Sequence, residues 1–107
     1  VAKVPWLRTI PITAANTEYN LHTLLLAVDA TMPARCQALS LQFNGGNTAD
    51  SLYVGNPGTV GAADCGVILQ GSQAWAISQD SNLLMLSDIA LMSNGAEHSV
   101  QVCVVTR

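Results

Sequence analysis

The chain has 107 residues, half of them apolar and only a tenth charged, with a net charge of −3, which fits one domain built around one core. Its basic residues Lys3, Arg8, Arg35 and Arg107 are too scattered to form the clustered stripe that nucleic acid demands, so no nucleic-acid partner is expected. The longest apolar runs, Leu24-Leu25-Leu26-Ala27-Val28 and Leu83-Leu84-Met85-Leu86, fall far short of the ~20 residues that span a bilayer, and no membrane partner is expected either.

Residues 1–13 place Val4, Trp6 and Ile10 among Pro5 and Pro11. Proline donates no ladder hydrogen bond, so this stretch is either an edge strand on its own sheet or an extended arm reaching a neighbouring subunit. Val4, Trp6, Leu7 and Arg8 are its candidate contact residues. Residues 19–30 begin with apolar alternation and pass into a continuous apolar run, the pattern of a strand that becomes covered on both faces. Helix competes there, because Leu and Ala favour it, and Pro33 closes the segment.

The clearest strand covers residues 36–44. Leu39, Leu41 and Phe43 alternate with Ser40 and Gln42, giving one apolar and one polar face. Asn44-Gly45 reads as a tight turn through positive φ. Residues 52–54 form a short strand, and Asn56-Pro57-Gly58-Thr59-Val60 opens a glycine-rich loop that runs to Gly66. A loop of this length is uncommon in a compact domain unless it binds or packs on something. Asn56, Pro57, Thr59 and Val60 are therefore the second set of candidate contacts.

Short strands follow at residues 67–69 and 74–78, the latter with Trp75 and Ile77 on one face. In residues 83–92 the alternation changes phase at Ser87-Asp88, which predicts a bend or bulge. After Asn94-Gly95, a second turn of the same kind as Asn44-Gly45, residues 98–106 form a last strand with Val100, Val102 and Val104 inward. About eight strands separated by regular turn signals predict an all-β fold, an antiparallel two-sheet β-sandwich that is jelly-roll-like.

Chemistry is hard to place on this chain. His22 and His98 are far apart and no carboxylate pair has an informative spacing, so no metal, no cofactor and no catalytic residue is expected, and the chain does not read as an enzyme. Cys36, Cys65 and Cys103 lack zinc or redox spacing and read as free thiols of a reducing compartment, with a disulfide as the alternative. Trp6, Tyr53 and Trp75 allow a sugar-stacking platform, against which stands their use as core or interface anchors. Few charges leave a surface poorly defended against association, so the chain is expected to work inside an assembly, as a homo-oligomeric dimer or trimer.

Phe43-Asn44-Gly45, Leu52-Tyr53-Val54-Gly55-Asn56, Gly66-Val67-Ile68-Leu69, Gly71, Trp75, Leu86-Ser87-Asp88-Ile89 and the valine-rich end follow one another in an order that resembles the small β-sandwich decoration, or cement, proteins of tailed bacteriophages. The likeness covers roughly residues 36–105. It implies a jelly-roll-like fold and no catalysis. The implied partner is the major capsid protein, and the implied place is the capsid surface of a virion assembled in the host cytoplasm. The competing reading is a carbohydrate-binding module of a phage fibre or secreted enzyme.

Overall fold

A computed structural model describes residues 4–45, 50–61, 64–79, 81 and 83–106. Ten strands occur among them: β1 (Val4–Ile12), β2 (Tyr19–Asn20), β3 (Arg35–Cys36), β4 (Ala38–Asn44), β5 (Ser51–Gly55), β6 (Val67–Gln70), β7 (Ala74–Ser78), β8 (Leu84–Met85), β9 (Ala90–Ser93) and β10 (His98–Thr106). One helix, α1 (Leu21–Val28), and one 3₁₀ turn (Leu86–Asp88) complete the set.

Each strand pairs antiparallel with the strand equally far from the other end of the order. Thus β1 pairs with β10, β2 with β9, β3 with β8, β4 with β7 and β5 with β6. The chain is one long hairpin closed between β5 and β6. Folding it over joins β10 to β4 and β9 to β5. The outcome is a first sheet in the order β1-β10-β4-β7 and a second in the order β2-β9-β5-β6, which is the wrapped arrangement of a jelly roll. The expected all-β sandwich is therefore the fold.

Alternation makes the core. Leu39, Leu41 and Phe43 of β4, Val100, Val102 and Val104 of β10, and Ile10 and Ile12 of β1 are buried, and they meet Leu52 and Val54 of β5, Leu69 of β6 and Leu91 of β9. Burying each such side chain contributes roughly 1.5–3 kcal/mol.

Residues 19–30 depart from the expected long strand. Only Tyr19–Asn20 pair as strand, and α1 follows. Asn20 caps the helix by accepting the Thr23 backbone N–H at 3.3 Å, while its own amide donates to the Ser87 carbonyl at 2.8 Å. Leu21 and Leu25, one turn apart, are buried, and Leu24 packs beside them. An apolar run that reads as a doubly covered strand is thus a one-sided helix closing one end of the sandwich. Leu26, on its opposite side, and Val28, its last residue, are exposed.

The glycines at the two Asn-Gly steps also act differently from expectation. Among the described residues positive φ occurs at Asn16, Glu97, Gly58 and Gly71, and at neither Gly45 nor Gly95. Close approach is what those two require. A Cβ on Gly45 falls 2.6 Å from Cε2 of Phe43, and one on Gly95 falls on the Asp50 carboxylate.

Candidate functional site

The first 13 residues put β1 at the edge of the first sheet, antiparallel to β10; residues 1–3 of that stretch lie outside the described residues. Val4 opens β1 opposite Thr106. Trp6 is half-buried and packs against the core. Leu7 points outward and is 63% exposed. Arg8 reaches Asp29 beyond the helix with an N–O distance of 2.5 Å and also donates to the Leu7 carbonyl at 2.8 Å. Asp29 is held below the usual carboxylate value of 3.8, first by the Thr31 hydroxyl, then by the Thr31 backbone N–H, with Arg8 adding to the effect. That cluster pins β1 to the end of α1.

The other candidates extend from β5 of the second sheet, so the two sets stand on different layers. Glu18 accepts the Gly58 N–H with both carboxylate oxygens, at 3.1 and 3.3 Å. Asn56 donates to the Asp88 carbonyl at 2.9 Å, and Thr59 donates back to the Asn56 carbonyl through its N–H and hydroxyl. Asn56, Pro57 and Thr59 are exposed. Val60 is not: it is buried against Tyr53 and Ala90, with Cys65 and Met92 beside them. The long loop therefore folds over the outer face of the second sheet and makes a second, smaller core. Val60 anchors the loop instead of presenting it.

Among the described residues, that cover has no counterpart on the first sheet. Three cross-strand rows cross its outer face: Leu7, Cys103, Ser40, Ala76; Thr9, Gln101, Gln42, Ala74; and Pro5, Val105, Ala38, Ser78. No position in them carries a charge. Two shallow depressions, of about 440 and 230 Å³, lie side by side on this face and share Ser40 and Cys103. Outward positions of β4, β7 and β10 were legible from alternation, but only the register assembles them into one surface.

A groove of about 330 Å³ lies between the free edges of the two sheets. Val67, Trp75, Ile77, Leu83 and Ile89 line it, with Asn56 and Asp88 as its polar members. Trp75 is half-buried there, and Leu83 is 66% exposed. Trp6, Tyr53 and Trp75 do not share a platform: Tyr53 is 8% exposed beneath the loop on the second sheet, and the two tryptophans belong to the first.

Among the described residues, titratable side chains also meet at His98. His98 Nε2 lies 2.6 Å from an Asp50 carboxylate oxygen, and the Phe43 ring meets the imidazole edge-on at 5.3 Å. This pair ties the start of β10 to the start of β5. His22 sits apart on α1, and no group of three or more His, Cys, Asp or Glu among the described residues is arranged to hold a metal. All three cysteines are free, with Cys36 buried. Burial pushes the Cys36 thiol up to about 11.

No family model matches the chain, and no curated protein matches it. Among solved structures it is similar to one described as "Bacillus endospore appendages form a novel family of disulfide-linked pili", at 10% identity and a TM-score of 0.42, covering 98% of this chain and 89% of that one.

Proposed function

We propose that this chain is a non-catalytic structural protein that binds the outside of a phage capsid and bridges neighbouring capsomers, acting as a homo-oligomer on the virion surface after assembly in the host cytoplasm. The observation behind this reading is the open, uncharged outer face of the first sheet, which Leu7 joins at its edge. Interface centres are depleted of charge in the same way. The exposed Asn56, Pro57 and Thr59 of the braced loop offer a second point of attachment on the other layer, and two separated attachments suit a bridge better than a pocket. A protein that binds only the assembled shell stabilises it by mass action, by about 2.7 kcal/mol per site at a hundredfold excess over Kd, and shared attachments multiply the effect. No cofactor enters this mechanism.

Co-sedimentation with intact, expanded capsids tests it. Binding that saturates and is lost in Leu7→Arg or Ser40→Arg supports the reading, whereas no binding to any capsid form refutes it. The carbohydrate-binding reading draws on Trp75 in its groove beside Asn56 and Asp88. Glycan-array binding that disappears in Trp75→Ala, without capsid binding, would put it first.

A further inference from the structure

We infer that β7 is a self-association edge: two copies of this chain pair β7 to β7 about a twofold axis centred on Ala76, making one continuous eight-stranded sheet from two first sheets. The inference starts from how unevenly the four edges of the two four-stranded sheets are protected. On β1, Pro5, Pro11 and Arg8 interrupt any incoming strand. On the second sheet, β2 is only 2 residues long. The remaining edges, β6 and β7, carry neither proline nor charge and lie on one side of the sandwich, flanking the apolar groove.

Hydrogen-bond phase separates these two. Phe43 N–H donates to the Gln73 carbonyl at 3.0 Å, and Gln79 N–H donates to the Gln37 carbonyl at 2.8 Å. In an antiparallel ladder that phase repeats every second residue, so Gln73, Trp75, Ile77 and Gln79 turn their backbone groups toward β4. Ala74, Ala76 and Ser78 turn theirs away from the sheet. On β6 the Gln70 N–H is already taken by the Gln73 side chain at 2.9 Å. The longer free row of donors and acceptors therefore belongs to β7.

A second copy matches this edge in both chemistry and register. Setting Ala76 opposite its own symmetry mate places Ala74 opposite Ser78 of the second copy, so every outward residue exchanges both backbone bonds. Three small side chains on the outer face do not obstruct the approach. On the inner face the same register puts Trp75 of each copy directly opposite Ile77 of the other, at the non-hydrogen-bonded positions where Cα atoms come within about 4.5 Å. Two side chains left half-exposed in a single copy are thereby covered by an aromatic-to-β-branched pair. No charge on β7 opposes itself across the axis, and the groove beneath, with Leu83, adds apolar area to the seam. A seam of one five-residue strand per copy plus that groove is at the small end of specific interfaces, the range of weak and transient association. This pairing stands independently of what the assembled protein binds.

Sedimentation velocity from about 1 to about 300 µM tests it. The full chain is expected to pass from monomer to dimer in that range. Ala76→Pro removes an N–H that serves no bond within the sheet, and proline is tolerated on an edge whose N–H faces solvent. Ala76→Lys sets a cation against its own mate. Both variants are expected to keep the circular dichroism and melting curve of the parent and to weaken the dimer about 100-fold, leaving monomer throughout the range. Ala76→Cys, with Cys65 and Cys103 changed to Ser, is expected to form an intermolecular disulfide under mild oxidation, and Leu7→Cys on the far edge is not. A parent that stays monomeric overturns the inference. So does a dimer that survives both Ala76 variants, or cross-linking at position 7 in place of 76.

Discussion

Replacing Gly45 by Ala isolates a close approach that neither turn chemistry nor burial alone predicts. The added Cβ lies 2.6 Å from Phe43 Cε2, whereas ordinary contact begins at 3.4 Å, so the ring must retreat by about 0.8 Å. Phe43 is fully buried and meets His98 edge-on, so a retreat of the ring disturbs its packed neighbours. Overpacking of this kind costs about 1–3 kcal/mol, and each kcal/mol lowers Tm by about 4–8 °C in a domain of this size. Gly45→Ala is therefore expected to melt at least about 5 °C below the parent. Phe43→Leu removes the offending ring atoms at its own cost, and in that background Gly45→Ala should lose most of its effect. A double-mutant cycle by urea unfolding is expected to give a coupling of about 1 kcal/mol or more. If Gly45→Ala melts with the parent, or if the two effects add, the ring contact is not why position 45 is glycine.

The remaining expectations concern the cysteines, the β1 anchor and the loop. Cys36, buried and with its thiol pushed up to about 11, should resist maleimide at pH 8 in the folded protein while Cys65 and Cys103 react, and should label only on unfolding, as read by peptide mass spectrometry. Because the Asp29 carboxyl is depressed below 3.8, its stabilising contribution is present above the carboxylate range and disappears as pH falls through the folded-state value. Thr31→Ala removes the 2.6 Å hydroxyl donor, so the Asp29 titration followed by carbon NMR should move up toward the ordinary value, and the variant should differ from the parent in stability at neutral pH but not in strong acid. Glu18→Ala takes away both acceptors of the Gly58 N–H, and hydrogen exchange at Gly58 should speed up while the amides of β10 stay protected.

Periodicity carried most of the fold. Leu39, Leu41 and Phe43, and Val100, Val102 and Val104, declare their inward faces in sequence because a strand with one buried face must alternate. The break at Ser87-Asp88 is a 3₁₀ turn for the same reason: a straight strand cannot change phase without an irregular residue. Residues 21–28 misled because Leu21, Leu25 and the run between them satisfy a covered strand and an amphipathic helix equally well, and the deciding signal, Asn20 as an N-cap, is only one residue. Of the candidate contacts, Leu7, Arg8, Asn56, Pro57 and Thr59 are exposed, but Val60 is not, since sequence cannot say whether an apolar loop residue faces solvent or the loop's own sheet. The uncharged face was invisible for a deeper reason: it is a property of register among β1, β10, β4 and β7, and register is a long-range fact.

The two outer faces of the sandwich show why the scarcity of charge bears on function. Over the second sheet, Tyr53, Ala90 and Met92 need apolar character because Val60 and Cys65 lie on them, so that face follows from the fold alone. Over the first sheet, Ser40, Gln42, Ala76, Ser78, Gln101 and Cys103 contribute nothing to the core, whose side chains all point the other way. Lys or Glu at those positions would leave the ladder intact and keep copies apart. Folding therefore does not require that face to lack charge, and neither does it require β7 to lack an edge charge or a proline at Ala76, whose N–H serves no internal bond. An uncharged face and an uncharged edge that meet along β7 describe one surface. The inferred pairing covers the edge, and the proposed attachment to a larger assembly would cover the face.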